Sequence, residues 1–398
     1  MFLSKQSLII IFIALITSIF FRVKIIEELP LGTDTNHYGL KGFDDEPAHL
    51  NYVKFIIENN EFPVLKSKIT DPDAFEKFEF EYHQPFFYYG YTSFLFKFLD
   101  LKQTNLLKLG RYFNFIIFLF SVLILYLIFK EIGFNQIQVT CGLVFYLMLG
   151  SSVYYGSLLS NDMLSWYLIW QIIYLLLKNP HRNWIYLIVS ITLLHFTKFN
   201  VVLIYPALVY LVLKNRNHVT SYRTNLILIL PILFSLPIYS RNLSLYGNPF
   251  PIGNITGETW YYVSNIWESL FRLKKMFYTF FFSMYFEPAK KLIYIFNYIT
   301  YIWLIITLFY WIKNIKFEIR ENQFINLLLV TNILAFLYFA IPTGIIEGRQ
   351  LFPALPFIIY FMVLGLCQFL LKLKINEKYA PVIIYIIFLP SFIIGFYL

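Results

Sequence analysis

Apolar residues along this chain gather into runs of roughly 20, each long enough to cross a hydrocarbon core of about 30 Å, and the runs recur almost to the last residue. They predict spans near Leu8–Val23, Leu109–Phe129, Val139–Leu149, Met163–Leu177, Trp184–Phe196, Val201–Leu213, Leu226–Tyr239, Leu292–Trp311, Phe324–Ile341, Leu351–Leu371 and Ala380–Tyr397. That is about eleven transmembrane helices. Two connections are long, one from about Lys24 to Lys108 and one from Ser240 to Lys291. In the first, Leu50, Val53, Ile56 and Ile57 recur at helical spacing behind Pro47, which predicts a short helix with proline in its first turn. Phe86–Phe98 is also apolar, but counting it as a span would reverse every later connection, so it is read as a second surface helix. Phe277–Phe286 is too short to cross and is placed in the interface. The expected fold is an all-α integral membrane protein, one polytopic domain over residues 1–398, with outward-facing juxtamembrane helices in 24–108.

Composition agrees with the pattern. Apolar residues make up 59% of the chain and charged residues 14%, against about one-quarter charged in an average soluble domain. Lys130, Lys178 with Arg182, Lys214 with Arg216 and Arg223, Lys313 with Lys316 and Arg320, and Lys372 with Lys374 and Lys378 occupy alternate short connections. The positive-inside rule puts these in the cytoplasm, together with the N-terminus, and the other connections outside. Arg272, Lys274, Lys275, Lys290 and Lys291 run against the rule, which weights short loops most. The first run follows Lys5 like a secretory signal, but Phe20, Phe21, Arg22 and Val23 are too bulky for a cleavage site, so it is read as a retained anchor in the cytoplasmic membrane. Cys141 and Cys367 sit in apolar runs far apart and suggest no disulfide framework.

The outer connections hold the polar chemistry. Gly42-Phe43-Asp44-Asp45-Glu46-Pro47-Ala48-His49 places three carboxylates at a helix start. If the helix reaches back to Asp45, His49 lies one turn below it and three residues from Glu46, so the imidazole and both carboxylates share a face. Such a carboxylate can take a proton from an incoming hydroxyl, or Asp44 or Asp45 can simply cap the helix. Tyr82-His83-Gln84-Pro85 precedes the second surface helix, and His83 and Gln84 could bind sugar hydroxyls or end a loop at headgroup level. Asn161-Asp162 stands between two apolar runs, where an ionisable residue is costly and usually partnered or functional. Lys198, in Thr197-Lys198-Phe199-Asn200, either serves a site or snorkels to the interface. Arg241 and Arg349 are outward arginines whose planar forks suit phosphate, or they are ordinary flanks of spans.

Together these segments resemble the GT-C-fold membrane glycosyltransferases, in particular the bacterial polytopic branch related to the protein mannosyltransferase and lipid A aminoarabinose transferase families. The resemblance rests on Asp45-Glu46-Pro47-Ala48-His49, His83-Gln84-Pro85-Phe86-Phe87-Tyr88-Tyr89, Asn161-Asp162, Thr197-Lys198, Arg241-Asn242 with Tyr246-Gly247-Asn248-Pro249, and Gly348-Arg349-Gln350-Leu351-Phe352-Pro353, in that order. It implies a polyprenyl-phosphate-linked sugar donor, transfer on the outer face of the cytoplasmic membrane, and Asp45, with Glu46 as neighbour or alternate, as the acid acting on the acceptor. Asp44 is an extra acid that leaves the choice of base open, and Gln350 stands where relatives often carry an aromatic residue. The soluble C-terminal domain of some relatives has no counterpart.

The expected function is therefore transfer of a hexosyl or pentosyl group from a polyprenyl-phosphate carrier to an envelope glycan, lipid or protein acceptor. Asp45, Glu46 and Asp44 are the catalytic candidates, and His49, His83, Gln84, Asp162, Lys198, Arg241 and Arg349 the substrate-binding ones. A lone activating carboxylate fits a single inverting displacement, since no carboxylate nucleophile for a double displacement is identifiable. Some members of the fold use a divalent metal, and Asp45, Glu46, His49 and Asp162 could supply ligands, but no spacing selects one. Beyond the lipid-linked donor and the acceptor, membrane lipids are the expected partners, and nucleic acid is not. The alternative is a flippase for lipid-linked sugars or another polytopic transporter, which would concentrate its polar groups near the midplane rather than in outer connections.

Overall fold

The first helix, α1 (Lys5–Glu28), starts where the Ser4 hydroxyl accepts a hydrogen bond from the Ser7 N–H, satisfying one of the free donors of the first turn. Leu8, Ile9, Phe12, Ile13, Ile16 and Phe20 form an exposed apolar stripe along it, while Ala14, Ser18, Phe21 and Arg22 turn inward. So large an apolar face is a liability in water and is at home against hydrocarbon. The computed structural model describes residues 3–32, 45–65, 80–102, 105–178, 182–199, 205–206, 209–210, 221–249, 305, 309 and 348–397. Asp44, the piece Phe277–Phe286 expected in the interface, the expected span Phe324–Ile341 and most of the expected spans Leu292–Trp311 and Val201–Leu213 lie outside these residues.

After α1 come α2 (Glu46–Asn59), a 3-10 turn at Phe80–His83, α3 (Phe87–Phe98), α4 (Leu106–Glu131), α5 (Gln136–Met148), α6 (Gly150–Tyr155), α7 (Asp162–Lys178), α8 (Trp184–His195) and α9 (Ser221–Tyr246). A 3-10 segment at Gly348–Ala354 leads into α10 (Leu355–Lys372), followed by α11 (Ala380–Tyr397). No strand occurs among the described residues. Four helices, Lys5–Glu28, Leu106–Glu131, Tyr222–Tyr246 and Leu351–Lys372, are long and apolar enough to cross a membrane. The pattern predicted spans at α5 and α8 as well. These helices have 13 and 12 residues and reach about 20 Å and 18 Å, less than the hydrocarbon thickness when each is taken without the segments that flank it. The helix expected at Phe86–Phe98 is present as α3, with 12 residues.

The bundle is organised around α5. A capping box between Asn135 and Gln138 starts it, and every residue from Val139 to Met148 is buried, as expected of a helix that is apolar all round. It packs against α1, α4, α10 and α11, while α4 packs on α7, α7 on α8 and α8 on α9. Cys141 and Cys367, remote in sequence, are both buried and come within hydrogen-bond reach of each other as free thiols. The turn expected at Ser151–Asn161 is partly helical. Leu149 takes an extended conformation that ends α5, and the chain re-enters a helix at once as α6, leaving only Gly156–Asn161 as connection. Arg22 pins α6 to α1, donating to the Val153 carbonyl (3.3 Å) and the Ser152 hydroxyl (3.0 Å) beneath the Phe118 ring.

A second, smaller core lies under the segment between α1 and α4. Leu50, Tyr52 and Val53 of α2, Tyr82 of the 3-10 turn, Tyr88, Tyr89 and Phe96 of α3, Leu106 of α4, and Leu65 and Leu159 are buried together. Tyr52 stacks on Tyr89 with centroids 3.9 Å apart. Gly110 is required where α4 meets this core, because a Cβ there would collide with Leu159. The candidate site residues stand along the edge of this second core.

Candidate active site

Asp45 is the residue on which α2 begins, with Pro47 in the first turn. Its carbonyl accepts from the N–H groups of Ala48 and His49, both at 3.1 Å. Its side chain makes no capping hydrogen bond. Instead Asp45 Oδ2 accepts from Arg349 Nη2 at 2.6 Å, so this carboxylate is not spent on ending its own helix. The other branch of the guanidinium, Arg349 Nη1, donates to Asp162 Oδ2 at 3.1 Å, and Lys198 Nζ pairs with Asp162 Oδ1. Three segments that the sequence keeps far apart thus form one alternating chain, Asp45–Arg349–Asp162–Lys198.

Each link has a local cause. Asp162 opens α7, and the Asn161 side-chain amide donates to the Thr197 carbonyl (3.0 Å), which holds the end of α8 and Lys198 against it. Arg349 lies on the 3-10 segment, 5.8 Å above the Tyr155 ring, and Trp170 fixes that segment by donating to the Phe352 carbonyl (3.0 Å). Exposure is graded along the chain. The Asp162 side chain is 5% exposed and Arg349 14%, whereas Asp45 is 29% and Lys198 20%. The two ends are open to a ligand and the middle is closed.

His49 reaches Tyr89 through Nδ1 (2.7 Å from the hydroxyl). Burial pushes its imidazole below the ordinary histidine value, against the pull of Glu81, Asp45 and Asp162 and with the push of Lys198. The Gln84 amide donates to His83 Nε2 (3.2 Å), the Gln84 backbone carbonyl accepts from Tyr52 (3.2 Å), and Gln84 Oε1 is buried without a hydrogen-bond partner among the described residues.

Glu46 corrects the expectation that both acids share a face with His49. It turns the other way, into protein, where Arg111 Nε and Nη2 grip its two oxygens at 2.9 and 2.6 Å and the Leu159 N–H adds a third bond at 2.8 Å. The side chain is fully buried and both oxygens are occupied, which removes it as an alternate base. Arg111 also donates to the carbonyls of Ile26 (3.2 Å) and Leu29 (2.9 Å), so the pair ties α2 and α4 to the end of α1. Arg241 likewise stands apart from the four-membered chain. Its Nη2 donates to the Pro63 carbonyl (2.8 Å), and Tyr246 accepts from the Leu65 N–H (3.2 Å), so the end of α9 holds down the strip that follows α2.

Comparison with solved structures finds the oligosaccharyltransferase of Archaeoglobus fulgidus. Against its complex with Zn and sulfate the TM-score is 0.54 at 13% identity, covering 96% of this chain and 52% of that one. Against its apo form the TM-score is 0.56 at 11% identity, covering 98% and 55%. At this identity the likeness is one of fold: the chain shares the fold of that oligosaccharyltransferase over the covered part. It spans about half the length of the archaeal chain. No protein-family model and no curated protein sequence matches it.

The described residues do not fit a divalent ion. Asp45, Asp162 and Glu46 are all engaged by Arg or Lys side chains, and no group of three or more His, Cys, Asp or Glu is placed to hold a metal among the described residues. Two members of the site escaped the sequence. Arg111 had a signal, an arginine in the first turns of an apolar run. Glu81 had none, being one of many acids in the same segment.

Proposed function

We propose that the protein is a glycosyltransferase that moves a sugar from a polyprenyl-phosphate carrier to an envelope glycan, lipid or protein acceptor on the outer face of the cytoplasmic membrane, within the bacterial branch named above. The observation that supports this most is the Asp45–Arg349–Asp162–Lys198 chain, which sets an open carboxylate and two cations side by side at the edge of the outer segment. The full architecture in this reading has about eleven spans.

Arg349 and Lys198 face the phosphate in this reading. Their N–H groups stabilise the charge that develops on the leaving phosphate, and an incoming phosphate oxygen competes with Asp45 and Asp162 for the Arg349 fork. Asp45, with one oxygen in that fork and the more exposed side chain, engages the acceptor hydroxyl. The hydroxyl oxygen attacks the anomeric carbon as its O–H bond breaks and the proton passes to a carboxylate of the site, the carbon–oxygen bond to phosphate breaks, and its electron pair leaves with the phosphate. One displacement inverts the anomeric centre. His49 and the His83–Gln84 pair line the acceptor side, and Arg241 secures the wall formed by the strip after α2.

Transfer and transport part at the chemical bond. Purified protein reconstituted in vesicles with a lipid-linked sugar and envelope extract is expected to generate free polyprenyl phosphate. Movement of intact lipid-linked sugar between leaflets without bond breakage would establish the transporter instead. For the orientation, cysteines placed at Asn59 and at Lys374 should differ in labelling from outside intact cells, with only the first reacting. Equal labelling would overturn the outward placement of the site.

A further inference from the structure

We infer that Glu81 is a second catalytic carboxylate of this site, the group that holds the acceptor's proton when the displacement is complete. The inference rests on the glycosyltransferase reading and names a residue that the resemblance does not. Glu81 lies on the 3-10 turn Phe80–His83, immediately before the His83–Gln84 pair and beside the second core. Its Oε2 is buried with no hydrogen-bond partner among the described residues, alone in this among their carboxylate oxygens. Leaving such an atom unsatisfied costs about 1–3 kcal/mol, and more when it is charged. A fold that satisfies the oxygens of Glu46 with three bonds yet leaves this one bare points to a partner that arrives from outside.

The surroundings of Glu81 are those of the site. Its charge acts on His49 and Asp45 of α2, on Lys198 beyond α8 and on Arg349 of the 3-10 segment, and also on Tyr52 of α2 and Tyr89 of α3. Burial drives its carboxyl above the ordinary glutamate value; His49, Lys198 and Arg349 oppose that rise and Asp45 adds to it. The contrast with Asp45 is one of occupancy, since an arginine N–H sits on an oxygen of Asp45 and none sits on Glu81 Oε2. A base whose proton affinity lies nearer the working pH accepts a proton more effectively. The balance is complete without a further reagent. The O–H bond of the acceptor breaks, its electron pair forms the new glycosidic bond, the phosphate leaves with the electron pair of the old one, and the proton passes to Glu81.

The sign of the pH effect follows. Glu81 must be ionised to accept a proton, so the rate falls as pH drops through its raised value. The test is steady-state transfer from radiolabelled polyprenyl-phosphate sugar by wild type, Glu81→Gln and Glu81→Asp between about pH 4 and 9, with thermal unfolding in detergent as the fold control. Glu81→Gln is expected to lose roughly 10²-fold or more in kcat with donor KM unchanged, and to lose the acid limb of the profile; Glu81→Asp should restore the limb at a shifted pH. A Glu81→Gln enzyme with wild-type kcat and an unmoved acid limb overturns the inference while leaving the glycosyltransferase reading intact. If Glu81→Gln fails to fold, a Glu81→Asp profile that coincides with wild type overturns it equally. No transfer by wild type from any donor sinks the reading itself, and the inference with it.

Discussion

Replacing Glu46 with Ala is expected to destabilise the folded protein by roughly 3–5 kcal/mol, because it strands a buried guanidinium. Arg111 is almost entirely enclosed and has Glu46 as its carboxylate partner. Its remaining bonds go to backbone carbonyls, which cannot neutralise it. The pair joins α2, α4, the end of α1 and the Leu159 N–H, so the register of Asp45 against Arg349 depends on it. Removing both charges in a Glu46→Ala, Arg111→Met variant should recover part of the loss, since a neutral pair leaves no uncompensated charge behind. Thermal unfolding in detergent checks this. A single variant that melts with wild type would show that the pair does not hold the outer segment to the bundle.

Replacing Arg349 with Met is expected to lower transfer by roughly 10²–10³-fold, the usual cost of removing a donor aimed at developing charge. Arg349 is the centre of the ion-pair chain and reaches Asp45 and Asp162 with different nitrogens. A lysine carries the charge without the fork, so Arg349→Lys should recover only part of the activity. The loss should fall on both kcat and donor KM, because the same group orders the carboxylates before the donor arrives. Measured kcat and KM values for the two variants decide this. An Arg349→Lys enzyme indistinguishable from wild type would mean that Arg349 serves as a point charge and that the bridging geometry is incidental.

Much of this arrangement was legible in the sequence, for identifiable reasons. Hydrophobic runs and Pro47 located α1, α2 and α4 within a few residues, because those elements are set by local pattern and length. Asp45, Asp162, Lys198 and Arg349 each stood out as charge or polarity at the margin of an apolar run, and the structure joins all four. What the sequence lacked was direction. Asp45 and Glu46 are neighbours of the same chemistry, but successive residues at a helix start point to different sides, and only the position of Arg111 shows which acid is consumed by the fold. Arg241 shows the same gap, as its partner is a backbone carbonyl that no side-chain pattern reveals. Glu81 was hidden among acids that look alike until burial distinguishes them. At α5 the run read as a span is a 13-residue helix buried from Val139 to Met148 and followed after Leu149 by α6, a break that hydrophobicity does not mark.

The most direct measurement is transfer from a panel of radiolabelled polyprenyl-phosphate sugars to envelope extract by purified wild type and Asp45→Asn, compared in the same preparation. Label is expected to move from the carrier lipid to an acceptor with wild type for at least one sugar, and roughly 10²–10⁴-fold more slowly with Asp45→Asn. Equal transfer by the two proteins, or none by wild type from any donor, would contradict the assignment of this site to glycosyl transfer.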